Sequence, residues 1–349
     1  MKILYLYGEL MGYQIPILKE YVEHYKAEVH VVHNDNKKFT PYRAPLINNV
    51  FYYNKSEFSK LKLIDFTLNL NPDIVYISGW MYKDYVAAAK ALRKREIPVV
   101  SGFDDIWKNT LRQRIASVVF PFVRDKYFSH AWVAGPYQYE FAKNLGFPNN
   151  RIIFNCLSAD LKIFNDSYSK SIALKSEQYP HRILYAGRFE PIKGVDLLVS
   201  AWNNIRDKKK DWELCLIGNG SLKNRIENNP GIIVKNFMQP ELLVEEIEKC
   251  GCFILPSRKD QWGLVLHEFS AAGLPIICSD ACGAAPVFVT PGFNGYVFKS
   301  NDVSSMENKM LRIINSTDQE LNRMAVNSHL NGQKITSEMS AASFLSVLD

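Results

Sequence analysis

Runs of apolar residues alternate with amphipathic segments along the first half of the chain. Segments 2–8 (KILYLYG), 28–33 (EVHVVH) and 73–79 (DIVYISG) are nearly continuous apolar runs, typical of strands buried on both faces. Around them, apolar residues recur at spacings of three and four, as in QIPILKEYVEHY and YKDYVAAAKALRKRE, which predicts helices. Strands that alternate with helices in this way indicate a mostly parallel, doubly wound α/β sheet.

The alternation is interrupted once and then starts again. Residues 165–182 (NDSYSKSIALKSEQYPHR) are polar without a clear period, so we interpret them as a linker. The second half repeats the rhythm from RILYAG to PIICSD. We therefore expect two Rossmann-like domains, residues 1–164 and 183–333, facing each other across a cleft where the carboxyl ends of the strands lie. The tail 334–349 has helical spacing and is expected to pack back on the first domain.

Composition adds few constraints, with 47% hydrophobic and 22% charged residues. No apolar run approaches the roughly 20 residues of a membrane-spanning helix, and MKILYLYGEL has no signal-peptide cleavage site, which favours a cytoplasmic protein. The six cysteines include no Cys-x-x-Cys pair, so buried thiols are expected rather than disulfides or zinc ligands. The net charge of +6 suits a nucleotide, a phosphorylated substrate or an anionic membrane. No nucleic-acid-binding signature occurs.

The stretch GRFEPIKG follows a predicted strand and opens a helix. Gly187 and Gly194 allow tight turns, while Arg188 and Lys193 bring two cations to a helix N-terminus, where free N–H groups already favour an anion. A phosphate-binding site and a solvated loop with two surface cations are both open interpretations. Gly218 in LIGNGS marks a second glycine-rich strand end, which by itself is more typical of an ordinary turn.

Two acids flank the start of an apolar helix in DQWGLVLHEFSAAG. Gly263 is predicted to begin the helix, with Asp260 in the preceding loop and Glu268 about one and a half turns inside. Backbone amides between the acids suit the diphosphate of a nucleotide sugar, with Glu268 accepting from ribose and Asp260 from the transferred sugar. Neutralising Asp260 should then leave the affinity for a nucleoside diphosphate nearly unchanged. Alternatively, both acids only complement the helix dipole. We interpret His267 as a packing residue.

Together with FMQPELL and GFNGYVF, these motifs resemble retaining glycosyltransferase family 4, which has the two-domain GT-B architecture. The resemblance spans the second half and is looser in the first, in NNRIIFNCLSADLKIF. It implies that the second domain binds a UDP-, GDP- or dTDP-sugar, that Arg188 and Lys193 stabilise the leaving diphosphate, and that Asp260 replaces the first acid of an E-x7-E motif. The donor-binding residues it implies are Gly187, Arg188, Lys193, Gly218, Asn236, Phe237, Asp260, Trp262, Gly263, Leu264 and Glu268.

The first domain, expected to bind the acceptor, departs from the family pattern. The histidine often found in its active site has no clear match, and SGFDDIW occupies that region. Asp104 or Asp105 is expected to serve there, with Gly12 on the same acceptor side. This acidic pair could bind a cation, but we favour capping of the following helix. No Asp-x-Asp motif occurs, and neither a metal nor a cofactor is expected. The predicted catalytic residues are Arg188, Lys193, Asp260 and Asp104.

Residues 111–128 (LRQRIASVVFPFVRDKYF) interleave basic and aromatic side chains. Such an amphipathic segment can lie on an anionic membrane, which would place the protein peripherally on the inner face of the cell membrane. A lipid-linked acceptor would then be favoured. A helix that packs inside its domain with a solvated basic edge is an equally open interpretation.

The sequence thus predicts a metal-independent, retaining glycosyltransferase of the hexosyltransferase type. Its acceptor would be a saccharide or a lipid-linked saccharide, in the synthesis of surface polysaccharide, lipopolysaccharide or glycolipid. Two alternatives stay open: a nucleotide-sugar epimerase of the same architecture, and a catalytically weak, nucleotide-sugar-binding partner subunit. A nicotinamide dehydrogenase is disfavoured, because YGELMGY lacks the G-x-G-x-x-G pattern after the first strand.

Overall fold

The computed structural model describes residues 1–35, 44–227 and 229–349. The chain divides into two compact units. The first comprises Met1–Asp160 and Ile335–Asp349, and the second comprises Leu161–Lys334. Each unit contains one parallel β-sheet with helices, which confirms the predicted fold class of two Rossmann-like α/β domains.

The first unit is built on seven parallel strands in the order β3-β2-β1-β4-β5-β6-β7. The order reverses between β1 and β4, as in doubly wound folds. Its strands are β1 (Lys2–Tyr7), β2 (Glu28–His33), β3 (Val50–Asn54), β4 (Ile74–Ile77), β5 (Val99–Phe103), β6 (His130–Val133) and β7 (Ile152–Ile153). Its helices up to residue 160 are α1 (Ile15–Glu23), α2 (Lys60–Leu70), α3 (Lys83–Arg93), α4 (Leu111–Val119) and α5 (Pro136–Asn144).

The second unit repeats the plan with six parallel strands in the order β10-β9-β8-β11-β12-β13. Its strands are β8 (Arg182–Ala186), β9 (Glu213–Ile217), β10 (Ile232–Lys235), β11 (Cys252–Leu255), β12 (Ile276–Ser279) and β13 (Gly295–Phe298). Its helices are α6 (Leu161–Glu177), α7 (Val195–Asn204), α8 (Lys223–Glu227), α9 (Pro240–Ile247), α10 (Val265–Ala271), α11 (Ala285–Phe288), α12 (Val303–Ile314) and α13 (Asp318–Gly332). Among the described residues, no helix is long and apolar enough to span a membrane.

The last helix, α14 (Ser337–Leu345), belongs to the first unit and packs against α1. Its Phe344 is fully buried, and its ring stacks 5.0 Å from that of Trp132. The rings of Tyr5 and Tyr21 lie 5.8 and 5.7 Å from Phe344, and their hydroxyls are hydrogen-bonded at 2.8 Å. The C-terminal residues therefore complete the core around the N-terminal strand.

The predicted linker 165–182 is mostly helical, because it forms the greater part of α6. This helix buries Phe164, Ser167, Ser171 and Lys175, which have helical spacing but include only one apolar residue. It packs against α9, α10 and α13. The linker prediction was wrong because small serines form the buried face of α6, so the apolar periodicity that normally identifies a helix is absent.

All six cysteines are free and buried, as the composition predicts. Burial raises the pKa of the Cys250 and Cys282 thiols to about 12. These side chains are therefore protonated, unreactive packing groups at neutral pH.

The burial of Lys175 should destabilise the second unit below pH 8. Its ammonium group has no hydrogen-bond partner among the described residues, and desolvation lowers its pKa from 10.5 to about 8. Between about pH 8 and pH 10.5, Lys175 keeps its proton in the unfolded chain but has lost it in the folded chain, so the free energy of unfolding rises with pH. We expect Lys175→Met to raise the free energy of unfolding at pH 7 by up to about 3 kcal/mol and to remove this rise.

Urea denaturation at pH 7 and at pH 10 measures both effects. Lys170 lies exposed on the same helix, so Lys170→Met is the matched control and should change neither quantity. Equal stability of the wild type and Lys175→Met at pH 7 would contradict the expected cost of burial.

Candidate functional site

Two strand ends of the second unit meet at glycines. β8 ends just before Gly187 and β9 just before Gly218, and the Gly187 amide donates to the Ile217 carbonyl at 3.0 Å. A Cβ atom on Gly218 would lie 1.9 Å from the carbonyl oxygen of Gly187, so no larger residue fits there. The two loops can therefore pack together at the carboxyl edge of the sheet, where doubly wound folds bind their ligands.

The loop between β8 and α7 presents a cation to solvent. Arg188 is exposed, and its carbonyl oxygen accepts a hydrogen bond of 2.8 Å from the Tyr185 hydroxyl. Further along, the Glu190 carboxylate accepts from the amide of Ser221 at 3.0 Å and from its hydroxyl at 2.6 Å. These bonds lower the pKa of Glu190. The backbone that carries Arg188 is thus held on both sides, while its guanidinium stays available to an anion.

Lys193 and Asp260 are 67 residues apart in sequence and form an ion pair. Lys193 Nζ lies 2.6 Å from Asp260 Oδ2, and Ser257 Oγ donates to the same oxygen at 3.2 Å. The Asp260 amide donates to the Ala281 carbonyl at 3.2 Å, and its carbonyl accepts from the Gly283 amide at 3.0 Å. The residues predicted to bind the diphosphate and the sugar are therefore in direct contact.

Arg258, which the sequence alone did not single out, joins the loops that carry these two residues. Its guanidinium donates to both carboxylate oxygens of Asp196, at 2.7 and 2.8 Å, and to the Pro191 carbonyl. Its amide donates to the Ile192 carbonyl at 2.9 Å. The guanidinium lowers the pKa of Asp196. No local signal in SRKD could reveal this pair, because its partner is 62 residues away.

The predicted turn is present, since Gly263 has a φ of 87°, but α10 begins at Val265, so Glu268 is less than the predicted one and a half turns inside the helix. Glu268 lies in the first turn and is half-buried. His267 is fully buried, with Nε2 2.9 Å from the Gly332 carbonyl and its ring stacked 4.3 Å from Phe288. His267 is therefore a packing residue, as the sequence analysis proposed.

The remaining predicted donor residues differ in exposure. Leu264 is half-buried at the N-cap of α10, whereas Trp262 is buried, and its indole Nε1 has no hydrogen-bond partner among the described residues. Asn236 and Phe237 follow β10. Asn236 Oδ1 accepts from Lys223 Nζ at 2.6 Å, and the Phe237 side chain is 55% exposed. Phe237 thus offers an open aromatic surface near the end of β10.

A cavity of about 700 Å³ lies at the carboxyl edge of the sheet in the first unit. Asp104 and Asp105 lie in its wall just after β5, and Gln138 Nε2 donates to the Asp104 carbonyl at 3.2 Å. Gly12 is not a lining residue, but it begins the turn Gly12–Gln14, whose Tyr13 lines the cavity. Aromatic and cationic residues complete the wall, among them Tyr7, Tyr76, Trp80, Lys83 and Arg112.

The prediction that Asp104 or Asp105 caps the next helix is wrong. Thr110 is the N-cap of α4: its hydroxyl accepts from the Gln113 amide at 3.3 Å, and Gln113 Oε1 accepts from the Thr110 amide at 3.3 Å. This reciprocal capping box satisfies the helix start and leaves both acids in the preceding loop. In residues 1–35, 44–227 and 229–349, no group of three or more His, Cys, Asp or Glu could hold a metal ion.

Loss of the two hydrogen bonds from the Arg258 guanidinium to Asp196 should destabilise the second unit. We expect Arg258→Gln to lower the free energy of unfolding at pH 7 by about 1 to 2 kcal/mol, because it leaves the Asp196 carboxylate without its cation. The pairing stabilises the fold above the ordinary aspartate pKa of 3.8 and is lost as pH falls through the lowered pKa of Asp196. The difference between wild type and variant should therefore shrink below about pH 4.

Chemical denaturation at pH 7 and at pH 3.5 measures this difference. Arg206 is exposed in the same unit, so Arg206→Gln is the control for charge loss alone. A difference between Arg258→Gln and wild type that is equally large at both pH values would rule out Asp196 as the relevant partner.

The second unit is similar to known proteins in sequence, and the whole chain is similar to known proteins in fold. Residues 169–329 match the family model described as "Glycosyl transferases group 1". An uncharacterized glycosyltransferase of Methanocaldococcus jannaschii is 29% identical over 181 residues, which cover 48% of this chain and 49% of that protein. The capsular polysaccharide biosynthesis glycosyltransferase CapM of Staphylococcus aureus is 24% identical over 157 residues, or 40% of each chain. The chain thus spans about half the length of these curated relatives, or less.

The structural similarity extends over the full chain. Anabaena Alr3699/HepE, solved in complex with UDP, aligns with a TM-score of 0.74 and 16% identity over 100% of this chain and 99% of that one. The second unit therefore matches the glycosyl transferases group 1 family in sequence, and the chain as a whole has the fold of the GT-B glycosyltransferases.

Proposed function

We propose that the protein transfers a sugar from a nucleotide-sugar donor to an acceptor hydroxyl. The observation that carries this proposal is the contact between Lys193 and Asp260 at the carboxyl edge of the second sheet, inside the segment that matches the glycosyl transferase family. Exposed Arg188 adds a second cation at the same edge. A nucleotide sugar needs cations for its diphosphate and a carboxylate for its sugar hydroxyls, and this edge offers both.

We assign each part of the donor to side chains along this edge. Arg188 and Lys193 bind the diphosphate, half-buried Glu268 accepts hydrogen bonds from the ribose hydroxyls, and Asp260 accepts from the transferred sugar. UDP-sugars are the first donors to test, because Alr3699/HepE was solved with UDP and with UDP-glucose.

We infer a retaining reaction that needs no metal ion. As the bond to the anomeric carbon breaks, negative charge develops on the leaving phosphate oxygen, and the fixed cations Arg188 and Lys193 stabilise that charge. The same oxygen then takes the proton from the acceptor hydroxyl, which attacks on the face that the diphosphate leaves. The new bond keeps the configuration of the old one, and no carboxylate nucleophile is required.

The cavity of the first unit is proposed as the acceptor site. Tyr13 and Trp80 offer aromatic faces to a sugar ring, and Asp104 and Asp105 offer carboxylates to its hydroxyls. Asp104 is our candidate for the acid that orients the attacking hydroxyl. The name of the relative CapM, a capsular polysaccharide biosynthesis glycosyltransferase, supports surface polysaccharide assembly as the setting.

Sugar transfer from UDP-, GDP- or dTDP-sugars, measured with saccharide acceptors in the presence of EDTA, tests this proposal. We expect Arg188→Ala to lower turnover about a hundredfold or more, since one preorganised charge at the leaving group is lost. Arg206→Ala removes an exposed arginine of the same unit and should leave turnover unchanged. Activity that requires added Mg²⁺ or Mn²⁺ would overturn the metal-independent mechanism.

Product analysis separates the alternatives. An epimerase would convert the donor without an acceptor, whereas a binding subunit would leave the donor intact even with the correct acceptor. Transfer with inverted anomeric configuration, read from the NMR coupling of the product, would refute retention but not transfer.

We also propose that α4 docks on an anionic membrane. None of its residues is buried, Arg112 and Arg114 are exposed, and no acid occurs between Asp105 and Asp125. An apolar stripe at helical spacing is exposed on α4 and just after it: Leu111, Ile115, Val118, Val119 and Phe122. A helix packed inside its domain does not account for this exposure, whereas an apolar face flanked by cations fits a bilayer surface.

Arg124, in the same segment, has a different role. It is buried, its Nε donates to Asp125 Oδ1 at 3.0 Å, and its guanidinium donates to the Gly146 carbonyl. Its guanidinium also lies 5.2 Å from the centre of the Phe147 ring. Arg124 is therefore a packing residue and is excluded from the membrane surface proposed here.

The position of α4 favours a lipid-linked acceptor. Arg112 and Gln113 line the first-unit cavity, while Leu111 and Ile115 of the same helix are exposed. A membrane bound at the apolar stripe would lie beside the cavity. A saccharide anchored in that membrane could then enter the cavity without leaving the lipid.

Co-sedimentation with phosphatidylglycerol vesicles tests the membrane contact. We expect the double variant Arg112→Gln/Arg114→Gln to weaken binding roughly tenfold or more, because each basic residue near an anionic surface contributes about 1 kcal/mol. Lys60→Gln/Lys62→Gln removes two exposed charges from α2 and is the matched control. Binding that survives both the Arg substitutions and Phe122→Ser would exclude α4 as the docking surface.

A further inference from the structure

The Lys193–Asp260 ion pair occupies both groups that a donor needs. Lys193 Nζ and Asp260 Oδ2 are 2.6 Å apart, and the two side chains are only 22% and 12% exposed. The proposed function gives the lysine to the diphosphate and the aspartate to the transferred sugar. A donor that uses both must therefore separate them.

The two loops that carry the ion pair are held together by their backbones. Gly194, next to Lys193, has a φ of 69°, and a Cβ there would lie 2.0 Å from the Pro256 carbonyl oxygen. The Arg258 amide donates to the Ile192 carbonyl at 2.9 Å, so the two loops are joined at a second point. The separation must therefore come from the side chains and not from loop opening.

Asp260 is the fixed partner. Its backbone is hydrogen-bonded through both amide and carbonyl, and Ser257 Oγ donates to Oδ2 at 3.2 Å. The aspartate has one methylene group, whereas the lysine has four and an ammonium that can turn toward any nearby anion. Lys193 can leave while the Ser257 hydroxyl still satisfies the Asp260 carboxylate.

We propose that this ion pair couples diphosphate binding to sugar recognition. The diphosphate takes the ammonium of Lys193, and the carboxylate of Asp260 is thereby released to accept a hydrogen bond from the sugar. No covalent bond changes in this exchange, since the lysine replaces one anionic partner with another. The inference rests on the proposed nucleotide-sugar site.

The coupling makes recognition of the two parts of the donor interdependent. A free sugar offers no anion to Lys193, so it meets an aspartate that is already paired. A nucleoside diphosphate must compete with Asp260 for the lysine, which lowers its apparent affinity. When both belong to one donor molecule, binding of the diphosphate therefore strengthens binding of the sugar, and binding of the sugar strengthens binding of the diphosphate.

The sign of one variant effect follows from this competition. Asp260→Asn removes the competing anion, so it should tighten binding of UDP by about three- to tenfold, the range expected for a partly exposed ion pair. The same variant should reduce sugar transfer, because the released carboxylate is missing. The sequence alone predicted an unchanged affinity for the nucleoside diphosphate.

Calorimetric titration of UDP, GDP and dTDP identifies the nucleotide to use, and a double-mutant cycle then tests the coupling. The cycle comprises wild type, Asp260→Asn, Lys193→Met and the double variant. We expect Asp260→Asn to tighten binding in the wild-type background and to change it less than about twofold in the Lys193→Met background. Asp260→Glu keeps the charge and should not tighten binding. Thermal unfolding of each variant verifies that it is folded.

Glu190→Gln is the control for a general charge effect, because it removes an acid from the same loop whose carboxylate is hydrogen-bonded to Ser221, and it keeps the backbone carbonyl that accepts from the Lys193 amide. Equal tightening by Glu190→Gln and Asp260→Asn, or tightening that persists in the Lys193→Met background, overturns the coupling. Unchanged or weaker binding of the nucleotide to Asp260→Asn would also overturn the coupling. If no nucleoside diphosphate binds the wild type and no sugar is transferred, the proposed function itself fails. Wild-type transfer with unaltered Asp260→Asn binding refutes only the coupling.

Discussion

The close approach of Gly194 to the carbonyl oxygen of Pro256 is the constraint on which the second unit's site depends. A Cβ atom at Gly194 would lie 2.0 Å from that oxygen, so the loops after β8 and β11 can meet only if this residue is glycine. The contact brings Lys193 and Asp260, which follow the two strands, within 2.6 Å of each other. Backbone packing therefore determines which charged residues lie together at the site.

The two units use similar sheets for different chemistry. In the second unit, charged side chains are held by specific partners, as Arg258 is by Asp196. In the first unit, aromatic packing dominates, and residues of the N- and C-terminal segments meet at Tyr5 and Phe344. One surface favours an anionic ligand, and the other offers a cavity of about 700 Å³ to a sugar or another ligand with an apolar face.

Helix α4 illustrates how one short segment can face two environments. With 3.6 residues per turn, Leu111 and Ile115 fall on one side, while Arg112 and Gln113 reach the cavity wall. None of the described residues in this helix is fully buried, although Ala116 packs against the core of the first unit. The amphipathic pattern of α4 therefore reflects an exposed side, a side toward the cavity and one contact with the core.

The sequence by itself determined the two parallel sheets and the turn before α10, because the strand runs and Gly263 are local signals. The tertiary structure alone decided which charges pair. Lys193 and Asp260 are 67 residues apart, and the partners of Arg258 include Asp196 in α7 and residues just before that helix. It also decided that residues 165–182 are mostly helical, since the buried face of α6 in this range consists of Ser167, Ser171 and Lys175, which give no apolar pattern. Local pattern specifies the elements, whereas pairing and close packing depend on contacts that form only when the chain has folded.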